Sequence, residues 1–311
     1  MVCYGECMVE LSAEGPGMWR QGFAGDSFNT ATYLHRLSRH GSLEVHYACG
    51  IGDDPFSGQM LSNFKTEGLH TSFVRQLPGR SCGLYSISVD THGERSFAYW
   101  RDTSAARDYF AGERTLLELM ASTVDVFYLT GISLAITPMD HRERLWTLLA
   151  ELKRCGKQIV FDNNYRSRLW PSAKEASDVM NRCIAMADIA LLGLEDVCAM
   201  HPEDSRDSAL ERCLSYADKE VVVKDGINPV TVRTRKGKFL QVPVAKVQPV
   251  DTTGAGDAFA AAYLAARLAG APEAEAAEMG NKLAGMVVLH PGAIVDKSWT
   301  QPQLDTWTCL P

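Results

Sequence analysis

Between residues 124 and 226 the chain alternates short apolar runs with amphipathic stretches: "VDVFYLTG", a helical period from Asp140 to Cys155, "KQIVFDNN", a second from about Glu175 to Met186, "DIALLG", a third near Ser208 to Tyr216, then "EVVVKDG". Short runs that are apolar throughout belong to strands covered on both faces, and helices between them act as crossovers in a parallel sheet. Right-handed βαβ units follow. The N-terminal part fits the same plan. "MVCYGECMVEL" and "EVHYACGIG" read as strands, and "DSFNTATYLHRLSRHG" sets Phe28, Ala31, Leu34 and Leu37 on one helical face before Gly41, a suitable C′ residue. "DDPFSGQMLSNFKTEG" reads as a helix with Asp54 as N-cap, Pro55 at N1 and Gly68 as terminator. The expected fold is α/β, a three-layer αβα sandwich with a mostly parallel central sheet.

One stretch departs from this rhythm. "GLYSISVDTHGERSFAYWR" holds two strand-like runs around a polar turn with Gly93, a β-hairpin pattern. With the segment around Gly17 to Ala24 it reads as a small β lid, contributed by about 12–24 and 80–102. No linker, repeat or low-complexity tract divides the chain, so residues 1–311 are read as one domain with this appendage. Strand edges exposed in such a lid favour pairing with a second copy, and a homo-oligomer through the lid is expected.

Composition narrows the partners. A net charge of −7 argues against nucleic acid, whose phosphates need a broad basic surface. It leaves room for a small anion held by one or two arginines. Nine cysteines, an odd number with no Cys-x-x-Cys and no zinc spacing, read as reduced thiols in a cytoplasmic protein. The N-terminus carries Glu6 and Glu10 instead of a basic flank. The longest apolar run, Ala258 to Ala266, is too short for a bilayer, so no membrane partner is expected.

The chemistry concentrates in "VDTTGAGDAFAAAYLAARLAG". A strand ending near Val250 feeds a Gly-rich turn and a helix from about Ala258. The first N–H groups of a helix lack internal partners and sit at the positive end of its dipole. Gly254, Ala255 and Gly256 let an anion approach them closely. Asp257 beside a bound phosphate makes sense if it takes the proton of an attacking hydroxyl, which gives the two parts of phosphoryl transfer. An N-capping aspartate after a Gly turn is the bland reading, equally weighted on spacing alone.

"DTTGAGDAF" resembles the C-terminal signature of the ribokinase-like (PfkB) carbohydrate kinases. The resemblance extends through "GECMVELS", "FAGDSFNTATYLHRL", "VHYACGIGDDPFS", "GLYSISVDTHGERSFAYWR", "YLTGISLAI" and "VFDNNYRSRLW", blocks similar to those of the bacterial 2-keto-3-deoxygluconate kinase branch. It implies transfer of the ATP γ-phosphoryl group to the C6 hydroxyl of a sugar acid. Asp257 would be the base, Gly254, Ala255 and Gly256 the anion hole, and Mg²⁺ would be held largely by the phosphates. A monovalent cation is a further possibility. The resemblance implies sugar contacts at Gly25, Asp26, Asn29, Tyr85, Tyr99, Arg101 and Arg166, with the two arginines suited to the carboxylate. Asp26 is otherwise an N-cap, and the tyrosines are otherwise strand aromatics. The nucleotide side would use Asn164, Lys224, Gly226, Thr252 and Asn281, the last equally readable as a capping or surface amide.

Three positions depart from the pattern. Where relatives carry a glutamate that organises Mg²⁺ through water this chain has Val197, with Leu194 at the preceding motif position and Glu195 and Asp196 as neighbours that could stand in. Asp225 replaces a usual arginine beside the nucleotide, and Ala24 replaces a glycine. These leave two alternatives: a kinase for another sugar such as fructose or ribose, or a weakly active sugar-binding protein of kinase fold. A neutral sugar would leave Arg101 and Arg166 without an anionic partner. A dinucleotide-binding dehydrogenase is disfavoured, since no G-x-G-x-x-G follows the first strand.

Overall fold

The computed structural model describes residues 1–15, 17–38, 43–89, 95–304 and 307. Its main sheet has eight strands in the order β14-β13-β12-β11-β10-β9-β1-β4. Six are parallel: β1 (Val2–Tyr4), β4 (His46–Ala48), β9 (Val126–Thr130), β10 (Gln158–Asp162), β11 (Ile189–Gly193) and β12 (Glu220–Lys224). The strands β13 (Val230–Arg233) and β14 (Phe239–Val242) add an antiparallel edge.

The pleat explains why the strands read as apolar throughout. Tyr128, Val160, Leu191 and Val222 enter one core, with the helices Asp26–Leu37, Ala255–Leu268 and Glu273–Val287. Their neighbours Phe127, Phe161, Leu192 and Val223 enter a second core beneath the helices Met139–Arg154, Ala173–Met186 and Arg206–Leu214. Successive side chains alternate between faces, and both faces are covered. Burying each large side chain contributes roughly 1.5–3 kcal/mol.

A second sheet, β3-β2-β7-β8, comprises β2 (Met8–Gly15), β3 (Met18–Ala24), β7 (Gly83–Val89) and β8 (Arg95–Trp100). Met8, Ala24, Tyr85 and Ile87 form its small core, with Tyr99 against them. It starts at Met8 and not near residue 12, because "MVCYGECMVEL" is two strands in two sheets. The chain leaves the main sheet at Gly5, where a Cβ would fall 2.1 Å from Ser27 Oγ. A third, two-stranded sheet pairs β5 (Gly50–Ile51) with β6 (Arg75–Gln76).

Asp54, Pro55 and Gly68 punctuate the helix Pro55–Thr66 as the sequence suggests. Gly41 and the hairpin turn with Gly93 lie outside the described residues. The strand expected to end near Val250 does not form. Pro243 and Pro249 cannot donate to a ladder, and the chain from 243 to 250 runs outside all three sheets. The strands flanking the turn at Gly237 (φ +80°) occupy the edge instead.

Candidate active site

Polar groups gather beyond the carboxyl ends of the parallel strands, where sheets of this type leave a crevice. Thr130 ends β9, Asp162 ends β10 and Lys224 ends β12. Two helices of one face aim their first turns at the same place.

The first is Asp26–Leu37. Gly25, not Asp26, is its N-cap, so Asp26 is a first-turn residue whose side chain is free for other partners. Asp26 Oδ2 accepts from Thr130 Oγ1 at 2.6 Å and from Asn164 Nδ2 at 2.7 Å, and Oδ1 from the Ser27 N–H. Asn164, expected beside the ATP phosphates, thus reaches the carboxylate expected to hold the sugar, from a backbone with φ +24°. At Gly25 a Cβ would lie 2.1 Å from the Glu6 carbonyl oxygen, so the helix start can pass the strand only as glycine.

The second helix, Ala255–Leu268, starts three residues before the expected Ala258, because Gly254 is its N-cap at φ +77° and turns the chain there. Asp257 is thus in the first turn and caps nothing. Its Oδ2 accepts from Asn29 Nδ2 at 2.8 Å, and its carbonyl from Thr30 Oγ1 at 3.3 Å. Burial and then the charge of Asp26 push the Asp257 carboxyl up to about 7, against the Asn29 hydrogen bond and the Lys224 charge. A carboxylate so placed is a base poised near neutrality.

The Ala255 N–H donates to the Thr252 carbonyl at 3.2 Å, which leaves the N–H groups of Gly256 and Asp257 at the expected anion hole. Thr252 and Gly256 are exposed. Lys224 Nζ borders this hole, 3.7 Å from where a Cβ on Gly256 would sit, and donates to Asp162 Oδ2 at 2.6 Å. Gly226 turns the chain after β12 at φ +59°. Asp225 does not present a bare negative charge there, because Arg206 pairs with it. Asn281 Nδ2 donates to the Pro243 carbonyl at 3.1 Å and does not join the Asp257 network.

Val197 is buried in the second core, and Glu195 is exposed. Asp196 faces the site: it lies 3.6 Å from Arg166, and burial pushes its carboxyl up to about 6 against Arg166 and Lys224. Among the described residues no three acidic, His or Cys side chains assemble a metal site.

On the lid, Tyr85 donates to Glu10, and Tyr99 stacks on Tyr85 at 5.6 Å between centroids. Arg101 and Arg166, expected to hold a substrate carboxylate, each have a protein carboxylate beside them. Arg101 is paired with Glu6, both side chains buried, and Arg166 sits against Asp196. A third arginine, Arg168, lies over the Tyr99 ring. Sequence reasoning missed Glu6, Glu10, Thr130, Asp162 and Arg168. Asp162 and Arg168 stood inside the quoted "VFDNNYRSRLW", Thr130 inside "YLTGISLAI", and the two glutamates inside "GECMVELS", Glu6 in the connection between two strands.

The chain matches, over residues 1–300, the model of the pfkB family carbohydrate kinases. It is 39% identical over 298 residues to the 2-dehydro-3-deoxygluconokinase of Escherichia coli K12, covering 94% of this chain and 96% of that one. Identity to the enzyme of the same name from Dickeya dadantii is 39% over 295 residues, covering 94% and 95%. An E. coli structure described as a ribokinase II, solved with ATP and Mg²⁺, superposes with a TM-score of 0.82 at 22% identity, over 98% of this chain and 97% of that one.

Proposed function

Because the chain belongs to the pfkB family of carbohydrate kinases, we propose that it transfers the γ-phosphoryl group of ATP to the C6 hydroxyl of 2-dehydro-3-deoxygluconate (2-keto-3-deoxygluconate). The substrate follows the relatives' names. The observation that carries the mechanism is the position of Asp257, at the start of a helix and hydrogen-bonded to the sugar-side Asn29.

In this reading Asp26, Asn29 and Asn164 orient the sugar hydroxyls. Asp257 takes the C6 proton as the oxygen bonds to phosphorus and the bond to ADP breaks. The N–H groups of Gly256 and Asp257, with Lys224, stabilise the charge on the transferring group. Mg²⁺ suits a site with few protein ligands, and Asp196, rather than Glu195, would hold its water shell while it neutralises phosphate charge. The lid would close with Tyr85 and Tyr99 over the sugar and exclude water.

Two further parts belong to the same proposal. Met18, Trp19 and Trp100 are exposed on lid strands, which favours a homo-oligomer formed through this sheet. All eight described cysteines are free thiols, which suits the cytoplasm. No described helix is long and apolar enough to cross a membrane.

The test is ADP release with Mg-ATP and 2-dehydro-3-deoxygluconate, beside fructose, ribose and gluconate, with and without K⁺. We expect turnover with the keto-deoxy acid alone, and a kcat reduced about 10²- to 10⁴-fold in Asp257→Asn. Turnover of a neutral sugar in its place would refute the substrate; an unimpaired Asp257→Asn would refute the base.

A further inference from the structure

Asp26 is held from two neighbouring strand ends at once. Thr130 closes β9 and is the register partner of Asp162, the last residue of β10. At Gly131 a Cβ would fall 1.9 Å from the Asn163 carbonyl oxygen, so the two strand ends approach this closely only with glycine there. Each end delivers a donor to the same atom: Asp26 Oδ2 accepts from Thr130 Oγ1 at 2.6 Å and from Asn164 Nδ2 at 2.7 Å. We infer that Thr130 is a positioning residue, which with Asn164 saturates Oδ2 of Asp26 and leaves Oδ1 as the oxygen that accepts from a sugar hydroxyl.

A threonine hydroxyl has one proton, and here the surroundings fix its direction. Thr130 and Ser133 form a reciprocal capping box at the start of the helix Gly131–Ile136. Thr130 Oγ1 accepts the Ser133 N–H at 3.1 Å, and Ser133 Oγ accepts the Thr130 N–H at 3.2 Å. The Ser133 hydroxyl proton goes to the Tyr4 carbonyl of β1 at 2.7 Å. The Thr130 proton then meets either Ser133 Oγ at 3.2 Å or the carboxylate at 2.6 Å, and the shorter, charge-assisted bond is the stronger. Both residues are 0% exposed, so bulk water does not compete for these groups. A carboxylate offers roughly four acceptor positions. The described residues fill two on Oδ2 and one on Oδ1, where the Ser27 N–H donates at 2.8 Å. What remains for a ligand is on Oδ1.

This inference rests on the kinase reading of the site, and the experiment separates the two. Steady-state kinetics are measured on the full-length protein for wild type, Thr130→Val, Thr130→Ser, Asp26→Asn and Asp26→Asn/Thr130→Val, varying 2-dehydro-3-deoxygluconate and ATP separately. Thr130→Val keeps the shape and removes the proton. It should lower kcat/KM for the sugar acid roughly tenfold or more, the loss of a hydrogen bond to a charged group. KM for ATP should be unchanged, and Thr130→Ser should stay within about threefold of wild type. In the Asp26→Asn background, Thr130→Val should cost less than about twofold, because the group it acts through is gone. A loss of the same size in both backgrounds overturns the inference, since a merely structural threonine would give that. So does a rise in KM for ATP in place of the loss on the sugar side. If Thr130→Val does not fold, Thr130→Ser decides: a tenfold loss with the hydroxyl still present overturns the inference. If wild type phosphorylates no sugar, the kinase reading fails and the inference falls with it. If wild type turns over and Thr130→Val does so equally well, only the role of Thr130 is lost.

Discussion

The Glu6–Arg101 pair gives a sharp test of what an arginine in a family block is for. Arg101 follows the end of β8 and Glu6 sits where the chain passes from the main sheet to the lid, with side chains 5% and 1% exposed. Removing one member of a buried pair leaves an uncompensated charge, at a cost of about 3–5 kcal/mol. With an unfolding entropy of roughly 2.1 cal/mol/K per residue, a chain of this length loses about 1.5 °C of midpoint per kcal/mol, so Arg101→Met should melt about 5–8 °C lower. The pair is incompletely satisfied: Glu6 Oε1 and Arg101 Nε have no partner among the described residues. Its net worth against apolar replacement is therefore small, and Glu6→Gln/Arg101→Met should recover more than half of the loss. Calorimetry and urea titration of the four proteins complete the cycle. A single variant that loses less than about 1 kcal/mol, or a double variant less stable than Arg101→Met, would refute this account. Arg101 would then be free for substrate, as the sequence alone suggests.

With the Asp257 carboxyl raised to about 7, its active ionised form is lost as pH falls, so kcat/KM should drop about tenfold per pH unit below that value. Asp26→Asn removes the neighbouring charge and should shift this limb to lower pH; a limb that stays put would exclude Asp257 as the titrating base. Gly254→Ala puts a Cβ 2.8 Å from the Ala293 backbone at φ +77°, and should cost at least about 1–3 kcal/mol in a urea titration and also reduce kcat. Arg206→Ala uncovers Asp225 and should raise KM for ATP a few-fold with kcat unchanged, read in the same ADP-release assay.

The parallel sheet was legible because fully buried strands leave no polar alternation, and β9 to β12 fall on the runs that predict them. The lid start was misread because Gly5 looks like any residue of an apolar run. Its meaning lies in the proximity of Ser27, a contact between distant segments. The glycine turn before Asp257 was visible, but its exact start depends on a left-handed backbone at Gly254 that spacing does not encode. Asp26 and Asp257 could be named from motifs, whereas their coupling could not, since 231 residues separate them. Charge compensation was the least legible feature. That Glu6, Asp196 and Arg206 answer Arg101, Arg166 and Asp225 is decided by packing, and one sequence holds no trace of it.

Asn29 reaches across to the Asp257 carboxylate and Thr30 to its carbonyl, stitching together the first turns of two helices that lie on the same face of the sheet. In the proposed mechanism, the group that would orient the acceptor and the group that would deprotonate it are thereby tied to each other directly. If the second sheet closes over a ligand as proposed, that tie would keep the angle and distance between them unchanged, so the motion would serve ligand entry and release and leave the alignment of attack alone.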